Sequence, residues 1–530
     1  MPGLPELTVG RWLIAWLPII LVLGLMMGLR WSGGKSGAAA WVASLLVGGY
    51  FFGGNLTTLA SGTIKGLWTT VFVLYIIWGA MTLYNVVDVT GSFKVIASTF
   101  TRLTHGNKML QLLVLGWAFP SFIQGVCGFG VPVAVGAPLL VGLGFNPILA
   151  VVTALIGHSW SVTFGSLGSS FSVLVRLTDL DPVRLATFAA LFLGICCLMV
   201  GFCIAHYYKG WKGVKEATPA VLIIGLTMAL VLIIMANFIT PYVASFTAGM
   251  CGLVVGGLVV TKLKCYRKED GDEVEQEDEP FSFTTAFSAY FILIGVVFVI
   301  YLIGPLKSCL AGLWAVGLPF PETQTVFGYL NEAADKYSAI KMFTAPGTLI
   351  FLSAFLAYLF YRSKNLWPEG GGKMVGSRVV KQAIGATVTV MTMSMMAVVM
   401  MESGMTSYLA HGMANYTGSA YAVISPFIGV LGAFMTGSNT NSNILFTGLQ
   451  NEVATLLAIS PYVILGLQTT GGAIGNMFSP MNVALGTGVT NTVGREGECL
   501  KATTLYTIVQ CLVVGILAWL ILYVFFPGIL

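Results

Sequence analysis

Six consecutive short polar side chains, Ser438, Asn439, Thr440, Asn441, Ser442 and Asn443, follow Gly437 in otherwise apolar surroundings. Hydroxyls and amides of this length donate and accept hydrogen bonds close to the backbone, and glycine lets a ligand approach it. An upstream interruption reads Phe-Ile-Gln-Gly-Val-Cys-Gly-Phe-Gly-Val-Pro from Phe122 to Pro132, then Thr-Phe-Gly-Ser-Leu-Gly-Ser-Ser from Thr163 to Ser170. The downstream one continues as Thr-Thr-Gly-Gly-Ala-Ile-Gly-Asn-Met from Thr469 to Met477. Groups of this kind recognise a solute rather than break its bonds. Where a helix is interrupted, the N-terminal end of a half-helix offers about half a positive charge and free N–H donors, which suits a small anion. The same residue types also hold membrane helices together, and on the residues alone both readings stand.

His158, in Leu-Ile-Gly-His-Ser-Trp-Ser, is an ionisable group in mid-segment, which in a membrane is a functional hypothesis by default. It could relay a proton or, kept neutral, orient a hydroxyl; a histidine satisfied by a helix carbonyl is the other reading. Gln124 lies in the upstream interruption, while Glu402 and Asp88 fall at expected helix ends, where an acid costs little. A membrane enzyme would need a nucleophile with a base, and adjacent residues such as His158 and Ser159 point apart on a helix. A channel is a further alternative, distinguished by its conductance.

The elements that must position these groups follow from composition. The chain has 530 residues, 56% hydrophobic and 9% charged, with mean hydropathy +0.87, whereas a soluble chain carries roughly 25% charged residues. Apolar runs span 12–29, 66–83, 185–205, 220–236, 243–260, 286–303, 343–360, 379–401 and 503–526, with weaker ones at 38–52 and 109–118. Many approach the ~20 residues of a spanning helix, so an all-α polytopic membrane protein of roughly a dozen helices is expected. Backbone that leaves the helix at membrane depth survives only inside protein or around a wet cavity, so the interruptions at 122–170 and 426–481 mark a site. No signal-peptide cleavage site opens the chain, so the first apolar run is expected to stay as an anchor. The nine cysteines form no CxxC or ligand-spaced cluster, and neither metal nor cofactor is called for. A net charge of +5 spread over loops gives nucleic-acid binding no support.

Lysine and arginine near helix ends favour the cytoplasm. They collect at Arg30 and Lys35, at Lys94, Arg102 and Lys108, at Lys209, Lys212 and Lys215, at Lys262, Lys264, Arg267 and Lys268, and from Arg362 through Lys381, whereas 237–242 and 404–418 carry none. Followed crossing by crossing, the chain enters the first interruption from inside and the second from outside. This predicts two inverted repeats, residues 1–261 and 281–530, joined by a charged cytoplasmic linker at 262–280. Gly130, Gly165 and Gly168 recur at the mutual spacings of Gly437, Gly472 and Gly475. The expected site lies between the interruptions. Gln124, Gly128, Phe129, Gly130 and Pro132 shape one wall and Ser438 through Asn443 the other; His158, Thr163, Gly165, Thr470, Gly471 and Gly472 close it.

Several of these segments resemble the lactate permease family: Gln124 to Ala134, Ala137 to Pro147, Gly210 to Ala220, Gly437 to Asn443, Leu445 to Leu449 and Thr469 to Pro480. The resemblance implies a plasma-membrane carrier for lactate, glycolate or a related 2-hydroxy monocarboxylate, coupled to protons. It also exposes departures. The family pattern has Glu at Gln124, Asp at Asn439, Lys at Asn476 and Asn at His158, and it has a proline where Ser170 stands. Losing an acid and a base together avoids stranding a buried charge, so Asn439 and Asn476 are expected to be neighbours. A glutamine cannot titrate, so His158 becomes the proton-coupling candidate. Proton coupling through another acid, Na⁺ coupling, exchange or simple downhill uniport are the alternatives, as is a Na⁺-coupled or exchange carrier for another small organic anion.

Overall fold

A computed structural model describes residues 3–29, 31–104, 106–128, 130–263, 266 and 280–528. Most of the charged linker, and Phe129 with it, lies outside the described residues. Helices dominate, as the composition requires. Among the described residues eight helices are long and apolar enough to cross a membrane. A ninth is obtained if Val9–Ala15 and Leu17–Met26, bent by 46° beside Pro18, count as one. One of the eight, Pro182–Ile239, has 58 residues, far more than the ~20 of a crossing. It turns back at Lys209 and Gly210, where Gly210 takes φ +60°, and its two limbs pack together through Gly194 against Ala229. Short apolar segments such as Val131–Gly142 and Pro147–Ser159 fall below spanning length, because the interruptions cut them.

The first interruption is built from two units. Helical chain from Lys108 to Val126 and the helix Val131–Gly142 form a hairpin whose mouth is closed by the Lys108 ammonium on the Leu143 carbonyl, 2.5 Å. The second unit is a broken helix, Pro147–Ser159 followed by Gly165–Arg176. The second interruption repeats this order. A hairpin of Tyr421–Thr436 and Asn439–Leu456 is followed by the broken helix Pro461–Gly475 and Pro480–Val489.

The two hairpins open on opposite faces. Beside the mouth of the first, Phe145 packs on Tyr208 and Asn107 donates to the Tyr266 carbonyl; this is the face of Lys108, Lys209 and Lys212. Just beyond the second hairpin, the Tyr462 hydroxyl accepts from the Asp181 amide, and Arg176 on that same face bonds the Ser338 carbonyl. That second face is covered by a feature the sequence reading had not anticipated, an antiparallel pair β1 (Ala315–Phe320) and β4 (Ala334–Lys341) enclosing the short strands β2 (Thr323–Gln324) and β3 (Leu330–Asn331). A 27-residue strand segment between two apolar helices is too short and too polar to register against helical periodicity, roughly two strands of ordinary length with turns.

Two long helices run beside both interruptions. Leu56–Asp88 packs against Gly165–Arg176, and Gly371–Glu402 packs against Asn439–Leu456. They lie antiparallel against each other, and Gly66 brings their backbones together: a β-carbon there would sit 2.7 Å from the Met395 Cα.

Candidate functional site

Each hairpin tip and each broken-helix turn brings non-helical backbone to the middle of the molecule. At the first tip the chain is extended at Cys127 and left-handed at Gly130 (φ +81°); at the second, Gly437 is left-handed (φ +67°) and Ser438 extended. Glycine takes φ > 0 without the steric penalty of a side chain, which is why it stands at both. In the first broken helix Ser166 (φ 46°) and Leu167 (φ 52°) are left-handed without being glycines. Strain of order 1–3 kcal/mol per residue is tolerated only where the surroundings over-determine it, commonly at a site. Helices beginning at Val131, Asn439 and Pro480 start from this central region, and a fourth resumes there once the left-handed turn Ser166–Gly168 is passed, so four N-terminal dipole ends lie in it.

Polar side chains then tie the two interruptions together. The Asn439 amide donates to Thr163 Oγ1 (3.1 Å) and to the Thr469 carbonyl (3.2 Å). Thr163 donates in turn to the Thr469 carbonyl at 3.0 Å. Asn443 donates to the Ser170 carbonyl (3.0 Å) and to Thr469 Oγ1 (2.9 Å), while Thr440 and Ser170 share a hydroxyl contact of 2.9 Å. All six residues are buried. Asn439 Oδ1, Asn441 Oδ1 and Asn443 Oδ1 have no hydrogen-bond partner among the described residues. Buried acceptors are normally satisfied, so unpaired amide oxygens at a converging set of helix ends are what a ligand hydroxyl or proton would meet.

His158 supplies the second bridge. Its Nδ1 faces the Ala154 carbonyl at 2.7 Å and its Nε2 faces Asn476 Oδ1 at 3.2 Å. The Asn476 amide nitrogen is committed to the Gly437 carbonyl (3.0 Å), and its Oδ1 also accepts from Asn482 (2.9 Å). Both ring nitrogens therefore face acceptors. Only a doubly protonated imidazolium donates to both; a neutral ring forfeits one contact.

The model of the family described as L-lactate permease matches residues 11–525. The chain belongs to the L-lactate permease family. It is 31% identical to an L-lactate permease of Salmonella typhi, covering 97% of this chain and 96% of that one. It is 30% identical, over the same shares, to the glycolate permease GlcA of Escherichia coli strain K12. Among solved structures, the YdaH transporter of Alcanivorax borkumensis shares 15% identity and a TM-score of 0.49, covering 88% of this chain and 87% of that one. As a member of this family the chain is a multi-pass membrane protein.

Within this permease-family member the remaining expected residues take distinct places. Gln124 is buried where it borders two glycines: a β-carbon on Gly165 would lie 2.8 Å from its Nε2, and one on Gly128 2.7 Å. The Gly128 amide donates to Ser166 Oγ at 2.8 Å. Pro132 opens the return arm of the first hairpin, and Gly130 faces Leu485 across the molecule. Ser438 caps the second arm through the Asn441 amide. Ser442 turns back to the Gly429 carbonyl (2.7 Å), Thr470 to Gly466 (2.7 Å), and Gly471 packs against the Pro426 carbonyl. These three hold the second interruption together internally, whereas Gly472 faces Asn439 Oδ1. Asn476 holds the carbonyl of Gly437, two residues before Asn439, whereas Asn439 itself turns to Thr163 and Thr469, so the hydrogen bonds of the two asparagines go to different partners. Gly165 opens the second half of its broken helix, whereas Gly472 lies inside the first half of its own; their matched sequence spacing does not place them at matched points.

Thr469, which receives bonds from Asn439, Asn443 and Thr163, was absent from the expected set. Helical periodicity holds the missing signal: positions 469, 472 and 476 share a face, and 470 and 471 do not. Gln450 was missed as well. It accepts from Tyr421 (2.7 Å) and Ser425 (3.0 Å) and donates to Gln468 (2.8 Å), bracing the arms of the second hairpin.

Proposed function

We propose that this chain is a secondary carrier that moves lactate, glycolate or a related small 2-hydroxy monocarboxylate, bound between the two interruptions and coupled to protons through His158. The observation that carries this reading is the bridge of Asn439, Thr163 and Thr469, buried where four helix N-termini converge. Helix N-termini supply the counter-charge a carboxylate needs without a basic side chain, and the free oxygens of Asn439 and Asn443 are acceptors for a 2-hydroxyl. Gly128, Gly130 and Gly472 stand in close contact with Gln124, Leu485 and Asn439, a tight surrounding that suits a small solute better than a large one. The names of the lactate and glycolate permeases that resemble the chain point to the same substrate class.

The two halves, 1–261 and 281–530, act as inverted repeats in this reading, with the lysine-rich face in the cytoplasm. Support comes from the order of hairpin and broken helix in each half and from their opposite mouths. His158 joins one half to the other through Asn476, so loading a proton on its ring tightens that bridge and losing it loosens the bridge. Ser159 donates to its own helix at Ile156 (2.8 Å), an arrangement unlike that of a nucleophile awaiting a base.

The test is uptake of labelled lactate, glycolate and glycerate into proteoliposomes under separately imposed pH, Na⁺ and voltage gradients. Concentrative uptake driven by an inward proton gradient is expected. Uptake driven by Na⁺ alone would replace the coupling ion, and no uptake of any of the three acids would remove the substrate class.

A further inference from the structure

The helices Leu56–Asp88 and Gly371–Glu402 are tied to each other twice, once near each end. At the end beneath the strands, the Lys65 ammonium lies 2.9 Å from both Glu402 carboxylate oxygens, with side chains 5% and 13% exposed. At the other end Arg378 donates to Asp88 Oδ2 at 2.8 Å, and these side chains are 43% and 35% exposed. Each helix gives its cation from its N-terminal part and its anion from its last residue. The intervals from Lys65 to Asp88 and from Arg378 to Glu402 agree within one residue. About 23 residues at 1.5 Å per residue is roughly 35 Å, so the pairs stand at opposite edges of the ~30 Å hydrocarbon layer.

Charge placement makes each anion depend on its partner. Asp88 and Glu402 are at the carbonyl ends of their helices, where the helix dipole opposes an anion, so each depends on the cation of the other helix. Each helix also contacts one interruption, Leu56–Asp88 through Gly165–Arg176 and Gly371–Glu402 through Asn439–Leu456, so both ties stand on the helices that pack against the candidate site. The two ends differ as closed and partly open ends should. Over Lys65 lie the rings of Phe320 and Tyr337, at 5.5 and 5.4 Å, and Asn331 on the short ladder donates to the Glu402 carbonyl at 2.9 Å. Around Asp88 a crevice of about 570 Å³ is lined by Tyr84, Asn85, Arg378, Lys381 and Gln382. At its edge Asn85 is fully buried with an unpartnered Oδ1.

We infer that Lys65–Glu402 and Asp88–Arg378 are the two gates of the carrier, broken one at a time, the first covered by the strand segment. This rests on the carrier reading for its purpose, but its test needs no substrate. Thr69 and Met81, both buried, lie one and two turns toward the middle from Lys65 and Asp88 respectively. Thr69→Cys and Met81→Cys are made in the full chain, reconstituted in vesicles, and labelled with a membrane-impermeant maleimide, the chain without the added cysteine giving the background. Glu402→Gln is expected to speed labelling at position 69 at least threefold and leave 81 unchanged. Asp88→Asn is expected to do the reverse, and the charge-exchanged pair Lys65→Glu with Glu402→Lys to return position 69 to its slow rate. If Glu402→Gln does not insert, Lys65→Gln tests the same gate. Acceleration of both positions by either substitution, or of neither, overturns the inference. Lactate uptake in parallel vesicles reports on the carrier reading separately.

Discussion

Asn439 donates to Thr163 Oγ1 at 3.1 Å across the boundary between the two interruptions, and its own oxygen is left facing Gly472. The amide thus does two jobs that no charged isostere can share. Its nitrogen has acceptors in Thr163 and the Thr469 carbonyl, and its oxygen, without a partner among the described residues, is the atom a ligand would meet in the carrier reading. In Asn439→Asp the nitrogen becomes an anionic oxygen 3.2 Å from the Thr469 carbonyl, an unpaired repulsion in a buried place. Uptake of the 2-hydroxy acid is expected to fall at least about tenfold, equivalent to ~1.4 kcal/mol in transport free energy. Rescue of normal uptake by the aspartate would show that a free amide is not what the site requires.

Adjacent glycines separate folding from function. A β-carbon on Gly471 would lie 1.9 Å from the Pro426 carbonyl, which is backbone and cannot rotate away. On Gly472 it would lie 2.1 Å from Asn439 Oδ1, the end of a side chain that can swing out at the expense of its bonds. Gly471→Ala is expected to lower the melting temperature, with an overpacking cost of about 1–3 kcal/mol. Gly472→Ala is expected to keep the melting temperature and lose uptake. Thermal unfolding in detergent beside vesicle uptake reads both, and equal behaviour of the two variants would refute the distinction.

What could be read from the chain before its coordinates depended on how local the signal was. Asn439, Thr163 and His158 announced themselves because polar groups stand out against lipid-compatible sequence, and Gly130 and Gly437 because backbone breaks need φ > 0. Lysine placement is what led the sequence to an expectation of opposite senses for the two interruptions. Partnership was less legible. Gln450 sits about two turns beyond the polar run, on the arm Asn439–Leu456, and nothing near it in sequence says that Tyr421, Ser425 and Gln468 converge on its amide. Lys65 and Glu402 are 337 residues apart, and an acid at a helix end is unremarkable until its cation is found on another helix. Ser442, Thr470 and Gly471 carry the same composition as the bridging residues, yet the helical turn directs them inward to their own hairpin and broken helix.

Gln450 offers a test of that bracing. Replacing it by leucine leaves the buried Tyr421 hydroxyl and the Gln468 oxygen without this partner and the Ser425 hydroxyl with only the Ile464 carbonyl, at about 1–3 kcal/mol for an unsatisfied buried group. Gln450→Leu is expected to lower the melting temperature by about 5 °C or more, given roughly 2–4 °C per kcal/mol in larger domains. Gln450→Glu keeps the acceptor and should be milder toward Tyr421 but not toward Gln468. An unchanged melting temperature in the leucine variant would mean that the arms hold without this hub.

His158 carries the last expectation. With Nδ1 on the Ala154 carbonyl and Nε2 on Asn476 Oδ1, the charged ring satisfies both acceptors and the neutral ring only one. In the proposed carrier, a proton arriving on the ring would strengthen the link to Asn476 and its departure would weaken it, which is how proton occupancy would couple to the relative position of the halves. Glutamine keeps hydrogen-bonding capacity but cannot change charge. His158→Gln is expected to abolish concentrative uptake driven by a pH gradient while sparing exchange of labelled for unlabelled acid at equal pH, because exchange needs binding and reorientation but no net proton movement. The comparison is made in the same vesicles, by imposing the gradient in one set and preloading the acid in the other. Proton-driven uptake that survives the substitution would take the imidazole out of the coupling step and leave His158 as a hydrogen-bonding post between the halves.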